Sequence, residues 1–288
     1  MVTLAVLGTG KIGGEVAYLA AMSGLIDRMV MYDAAKPFLR AQVLDIQHTG
    51  LDIEISTDWR AARDADVCVF SAGIPRTPEV KTRADLLSAN IPVADECSLA
   101  LNKFTGVLIT VTNPMDANNL YLCRKNGFEP SRCIGFGGQL DSARFGIALK
   151  KKGISGDPWV LGDHGEYQVP LFSRLDAPVD IAVREEILAG LRGASMEVIQ
   201  GKGGTVFGPA YHIAGLMRSI ILDERRIIPC SCVLEGEYGV SGCSLGVPAE
   251  IGREGICSIK EWDLDTWERE HFDAAAGFVR DLAAHIGH

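Results

Sequence analysis

The chain has 288 residues, enough for one large domain or two of ordinary size, each able to bury a core. With 47% apolar and 23% charged residues it excludes a disordered polypeptide, and a net charge of −9 with no Lys/Arg-rich stretch argues against a nucleic-acid partner. No run reaches the roughly 18 uninterrupted apolar residues of a membrane span, and the N-terminal apolar run, broken by Gly8, Gly10 and Lys11 with no basic region ahead of it, does not read as a signal peptide.

In chain order, TLAVLG, RMVMYD, DVCVFSAG and GVLITVTNP read as buried strands, rich in Val and Ile and bounded by Gly, Asp, Asn or Pro. Between them IGGEVAYLAAMSG, AKPFLRAQVLDIQHTG and DLLSANIPVADECSLALNKF read as helices, and RCIGFG supplies a last strand near residues 132–137. Strands apolar on both faces and separated by helices imply a parallel, doubly wound sheet. Beyond it, helices are expected at 139–152, 182–200, 209–223 and 265–286, around WVLGDHGEYQVPLF and RIIPCSCVLEGEYGV, which alternate more like antiparallel strands. The expected architecture is α/β: a nucleotide-binding domain over 1–138, then an α+β domain over 139–288.

Gly8-Thr9-Gly10-Lys11-Ile12-Gly13 follows a strand and opens a helix. The first glycine permits the tight turn, the second lets backbone approach a pyrophosphate, and the third lets helix and strand pack closely. The helix N-terminus then offers free N–H groups and partial positive charge to the phosphates. Asp33 ends the next strand 20 residues past Gly13, where a carboxylate would accept hydrogen bonds from the adenosine ribose. That carboxylate also repels a 2′-phosphate, so NAD is expected over NADP, a preference that neighbouring Lys36 weakens slightly. The whole pattern is that of a Rossmann dinucleotide site.

Three residues further on suit proton and hydride chemistry. Asp141 and Arg144 stand three apart on an expected helix and so project from one face. Arg144 offers a planar fork for a carboxylate, and His164 lies in a Gly-flanked turn after a strand, with an ordinary pKa near ~6.5. Taken singly, His164 could be a plain turn histidine, and Asp141 with Arg144 a surface pair; together, downstream of the glycine loop, they form a mutually consistent set. His48, His212 and His271 lack that context and read as structural. The eight cysteines are scattered, and the one close pair, Cys230 and Cys232, has no second pair or nearby His to complete a metal site. No metal is expected, and reduced thiols fit a cytoplasmic setting.

The stretches SAGIPRTPEVKTRADLLSAN, VTNPMD, QLDSARF and LGDHGEYQVP, with GKGGTVFGPA and GEYGV…GVPAEIG, resemble the malate/lactate dehydrogenase family over nearly the whole chain, in a short archaeal-type malate dehydrogenase form. The resemblance implies an NAD-dependent malate dehydrogenase acting on a small dicarboxylate, with no membrane partner. In it Asp141 orients His164, which gives a proton to the carbonyl oxygen in reduction and takes it from the hydroxyl in oxidation. Arg144 grips the substrate carboxylate. Asn113, with Val111 just before it, holds the nicotinamide and substrate region, and Asn90 contacts cofactor. Arg76 meets the second carboxylate of oxaloacetate, where lactate enzymes carry Gln. Leaving an enclosed charge unpaired costs ~3–5 kcal/mol, so one arginine can choose the substrate. Arg83 is the second arginine, polarising the carbonyl once the loop closes. Here the chain departs from the pattern: seven positions separate Arg76 from Arg83 where the family has six, and Lys81 is a further cation in that stretch. Relatives pair through helices as dimers or tetramers, and AKPFLRAQVLDIQHTG has the apolar positions for such an interface. The rival readings are a lactate or other 2-hydroxy-acid dehydrogenase and a nucleotide-binding regulatory protein without catalysis.

Overall fold

The computed structural model describes residues 1–74 and 82–285. β1 (Thr3–Leu7), β2 (Arg28–Tyr32), β3 (Glu54–Ser56), β4 (Val67–Phe70), β5 (Val107–Thr110) and β6 (Cys133–Gly135) lie in the spatial order 3-2-1-4-5-6, and every neighbouring pair is parallel. Every residue of β1, β4 and β5 is buried, which is why their sequences are apolar at both parities. The covering helices are α1 (Lys11–Met22), α2 (Lys36–Gln47), α3 (Arg83–Ala100) and α4 (Met115–Asn126). α1 packs through Val16, Ala17, Ala20 and Ala21, small side chains that bring the helix close to the strands. α3 starts at a capping box: the Asp85 N–H donates to Thr82 Oγ1 at 3.0 Å and the Thr82 N–H to Asp85 Oδ2 at 2.9 Å. The strand order reverses between β1 and β4, so a crevice opens beyond their carboxyl ends.

Two elements of this parallel half differ from expectation. β3 is a three-residue edge strand without an apolar run. α4 is a helix where none is expected, because the polar residues Asp116, Asn118 and Asn119 are buried among its apolar ones and break the amphipathic pattern. Inside the protein the Asp116 carboxyl and the Nδ2 groups of Asn118 and Asn119 find partners, while the two amide oxygens have none among the described residues.

The rest of the chain forms α5 (Gly138–Lys151), β7 (Val160–Gly162), β8 (Gln168–Pro170), α6 (Ile181–Lys202), α7 (Phe207–Ile221), β9 (Arg226–Glu235), β10 (Ser241–Gly252), β11 (Gly255–Ile259) and α8 (Thr266–Ala284). Its strand pairs are antiparallel, as their alternation suggests, and β9 joins β6 antiparallel. Among the described residues one sheet of eleven strands therefore runs from β3 to β8, with β11 beside β10. The largest apolar cluster follows it, from Leu4 and Val6 through α1 and α7 to Leu245 and Val247. Each fully buried Leu or Val in it contributes about 1.5–3 kcal/mol. No described helix is long and apolar enough to cross a membrane.

Candidate active site

The glycine loop sits at the crevice. Gly8 has φ +92° and donates its N–H to the Tyr32 carbonyl at 2.8 Å. A Cβ on Gly8 would come within 2.2 Å of the Ala72 nitrogen, and one on Gly13 within 1.9 Å of the Gly8 oxygen. Gly10 is different: a Cβ there would meet nothing within 4 Å. It is the N-cap of α1, and no side chain caps that helix start. An open space facing an uncapped helix N-terminus is what a pyrophosphate needs, and the residues present fit a dinucleotide. Asp33 stands at the mouth, its Oδ2 accepting from the Thr9 N–H at 2.9 Å and from Thr9 Oγ1 at 3.3 Å. Lys36 lies over the Tyr32 ring and donates to the Asp33 carbonyl at 2.9 Å. Ile12 packs against the core, and Lys11 turns away from the loop to the carbonyls of Lys202 and Gly203, 3.3 Å from each.

Val111 is buried, its N–H bonded to the Phe70 carbonyl at 2.9 Å. Asn113 is exposed, its Oδ1 accepting from the Met115 N–H at 3.3 Å. Asn90 is buried and its amide is engaged by main chain: Oδ1 accepts from the Ile74 N–H at 2.7 Å, and Nδ2 donates to the Leu86 and Asn113 carbonyls, both at 3.1 Å. Asn90 is thus a bolt beneath Asn113.

The three residues singled out for chemistry come together. His164 Nδ1 is 2.6 Å from Asp141 Oδ2, and Arg144 Nη1 is 3.2 Å from Asp141 Oδ1. Asp141 lies in the first turn of α5, where the helix dipole favours a carboxylate, and is 1% exposed. Its two oxygens are shared between a histidine and an arginine, so Nδ1 of His164 carries the proton and Nε2 is left to exchange one with a substrate. The ring lies on Gly137, where a Cβ would come within 2.5 Å of His164 Cγ. Burial disfavours the imidazolium, but Asp141 outweighs it by charge and hydrogen bond, with Asp116 and Asp163 adding to it, so His164 keeps its proton above the ordinary value.

The arrangement holds two carboxylates that sequence reasoning did not single out. Asp116 is buried at the start of α4; its Oδ2 accepts from the His164 N–H at 2.9 Å and its Oδ1 from Ser231 Oγ at 2.6 Å. Ser231 is in turn 2.8 Å from Ser244 Oγ, which accepts from Asn119 Nδ2 at 2.9 Å. Burial, reinforced by the charge of Asp163, pushes the Asp116 carboxyl up to about 7. Asp163, also buried, precedes His164 and has its Oδ1 4.0 Å from Arg83 Nη1, at the first position of α3. VTNPMD contains Asp116 and LGDHGEY contains Asp163, but nothing local tells either from a surface carboxylate. Arg76 and Lys81 lie outside the described residues.

Comparison with known proteins agrees with this geometry. Residues 2–135 match the lactate/malate dehydrogenase NAD binding domain, and residues 138–285 match the lactate/malate dehydrogenase alpha/beta C-terminal domain. Malate dehydrogenases of Haloferax volcanii and Natronomonas pharaonis are 35% and 34% identical, each over 98% of this chain and 98% of the relative. The 2.9 Å resolution structure of malate dehydrogenase from Archaeoglobus fulgidus in complex with NADH superposes with a TM-score of 0.90 at 28% identity, covering 99% of this chain and 100% of that one. A lactate dehydrogenase from a deep-sea metagenome library shares the fold with the same TM-score, 0.90, at 24% identity. The chain belongs to the lactate/malate dehydrogenase family.

Proposed function

We propose that the protein is an NAD-dependent malate dehydrogenase that interconverts malate and oxaloacetate. The observation that carries the reading is the His164–Asp141 pair at 2.6 Å with Arg144 on the same helix face, at the carboxyl end of a dinucleotide-type sheet. Full-length relatives named malate dehydrogenase favour malate over lactate. The bound nicotinamide would supply the hydride acceptor or donor.

The chain's own residues do the rest. Arg144 grips the substrate's carboxylate by its fork and sets the reacting carbon in reach. His164, held by Asp141, gives its Nε2 proton to the carbonyl oxygen in reduction and removes the hydroxyl proton in oxidation. Arg83 polarises that oxygen, and Asn113 offers its side chain to the nicotinamide and substrate region. Arg76 binds the far carboxylate. Gly8 to Gly13 and Asp33 hold the adenosine half of the cofactor, Val111 lines the nicotinamide side, and Asn90 serves the same site by holding Asn113 in place. Residues 1–138 would then be the cofactor domain and 139–288 the substrate domain. We further propose a cytoplasmic homodimer or homotetramer serving the tricarboxylic acid cycle, with α2 in an interface: Phe38 and Leu44 of that helix are 47% and 42% exposed.

The test is the rate of NADH oxidation with oxaloacetate and, separately, with pyruvate. Turnover on oxaloacetate alone is expected, and Arg76→Gln should lower it at least a hundredfold, since an enclosed carboxylate would lose its partner. Preference for pyruvate, or a loss within threefold in the variant, would overturn the substrate assignment. A protein without turnover on either, binding NADH all the same, would be the non-catalytic alternative.

A further inference from the structure

The guanidinium of Arg83 lies on the main chain of Gly165. An ideal Cβ on that glycine would stand 1.7 Å from Nη2, 2.3 Å from Cζ and 2.8 Å from Nη1, distances no real side chain occupies. Gly165 does not adopt a left-handed φ, so the backbone alone does not call for glycine there. The turn that carries it is pinned on all sides. The Gly165 N–H donates to the Asp163 carbonyl at 2.8 Å, and the Asp163 N–H to the Tyr167 carbonyl at 3.1 Å. Asp163 Oδ2 accepts from the N–H groups of Glu166 and Tyr167 at 2.9 and 3.3 Å, and Asp116 holds the N–H of His164 between them. With Oδ2 spent on the turn, Asp163 Oδ1 is left for the arginine, 4.0 Å from Nη1. The carboxylate is 3% exposed and the guanidinium side chain 18%, so water screens little of the attraction.

We infer that Gly165 is a positioning residue: its missing Cβ and the Asp163 carboxylate together form the seat that places the Arg83 guanidinium beside His164. The inference rests on the reading of Arg83 as the group that polarises the substrate carbonyl. If a methyl group fills the seat, the pinned turn stays and the long arginine side chain moves, because only the end of a flexible side chain stands in the way. Gly165→Ala therefore costs the fold little and restricts the unfolded chain in its favour, while it displaces the charge from the reacting oxygen.

The experiment compares wild type, Gly165→Ala, Arg83→Ala and the double variant, reading the single-turnover rate of NADH oxidation by oxaloacetate, the KM for oxaloacetate and the melting temperature. Gly165→Ala should melt at or above the wild-type temperature, keep KM within about threefold and lose roughly ten- to hundredfold in rate, the scale of a misplaced catalytic group. Arg83→Ala should lose about 10²–10³-fold, as for removal of an oxyanion donor. The double variant should lie within about twofold of Arg83→Ala, since a seat has no work without its occupant. Gly165→Ala at the wild-type rate, or losses that multiply in the double variant, would overturn the inference while leaving Arg83 its role. Arg83→Ala at the wild-type rate would overturn the reading of Arg83 itself.

Discussion

His164 is held by carboxylates on two sides, Asp141 at its ring and Asp116 at its main-chain N–H, with Asp163 one residue away and Arg83 and Arg144 as the nearby cations. Burial opposes the charged ring, but the carboxylates, Asp141 foremost, outweigh it and lift the proton affinity of the imidazole above its ordinary value. With His164 as the proposed base, malate oxidation would need the neutral ring, so its kcat/KM should rise with pH through a midpoint above the ordinary ~6.5 of histidine. Asp141→Asn removes the nearest negative charge and must move that limb to lower pH, while the misoriented ring costs about 10²-fold or more in rate. A limb that stayed in place in the variant would separate Asp141 from the proton-transfer step. Asp33 offers a second residue-scale test. In the proposed cofactor site its carboxylate would meet a 2′-phosphate with like charge, and Lys36 already supplies a cation beside it. Asp33→Ser should raise the ratio of NADPH to NADH turnover by about tenfold, one close charge repulsion being worth roughly 1–2 kcal/mol at a protein surface. An unchanged ratio would remove Asp33 from cofactor choice.

The glycine loop separates two uses of one residue type within a single element. Gly8 needs its φ of +92° and meets the Ala72 backbone at once on gaining a Cβ. Gly8→Ala should therefore cost at least about 2 kcal/mol of stability, from left-handed strain plus a clash with main chain that cannot swing away. Gly10 has ordinary backbone angles and open space around it. Gly10→Ala should melt like wild type yet bind NADH at least tenfold more weakly, because its methyl group would occupy the pyrophosphate's place. Thermal melts and fluorescence titration with NADH distinguish the two, and a Gly10→Ala protein with wild-type affinity would contradict the assigned cradle. This loop was legible in the sequence because its logic is local: strand, turn, helix and acid follow one another within 31 residues from Thr3 to Asp33. So was the Asp141–Arg144 spacing, which one helix settles. α4 was not, since a helix whose buried face carries Asp116, Asn118 and Asn119 has the wrong pattern for a covering helix. Its partners Ser231 and Ser244 stand on β9 and β10, more than a hundred residues away, and only the closed sheet brings them to it. Asp163 escaped for the same reason, its partner Arg83 lying 80 positions upstream.

At the scale of the whole molecule Asp116 ties α4, the turn after β7, and β9 into one unit, and it does so at the cost of burying a carboxyl whose affinity for protons is raised to about 7. The sign of the consequence follows from linkage. An unfolded Asp titrates near ~3.9, so between about pH 4 and 7 the folded chain holds a proton at Asp116 that the unfolded chain has released. Stability from this group is fully present below the lower value and is lost as pH rises through the higher one. His164 acts in the same direction, since its raised affinity stabilises the folded chain below about 6.5 and the benefit disappears as pH passes the folded value. The carboxylates held low by surface partners, Asp95, Asp223, Glu224 and Glu250, change stability only at more acidic pH. Between pH 5 and 7, then, the wild-type stability should fall with rising pH, by at most about 1.4 kcal/mol per unit for each proton released. In Asp116→Asn the amide, like the protonated acid, offers one accepting oxygen and one donor toward Ser231, so any loss of stability at pH 5 should stay within about 1–3 kcal/mol. The slope of the variant should be shallower, and the slope is the quantity that decides. Urea unfolding at half-unit intervals across that range measures both. A variant that is merely weaker, with the wild-type slope intact, would show that Asp116 is ionised throughout and that the proton belongs to another group.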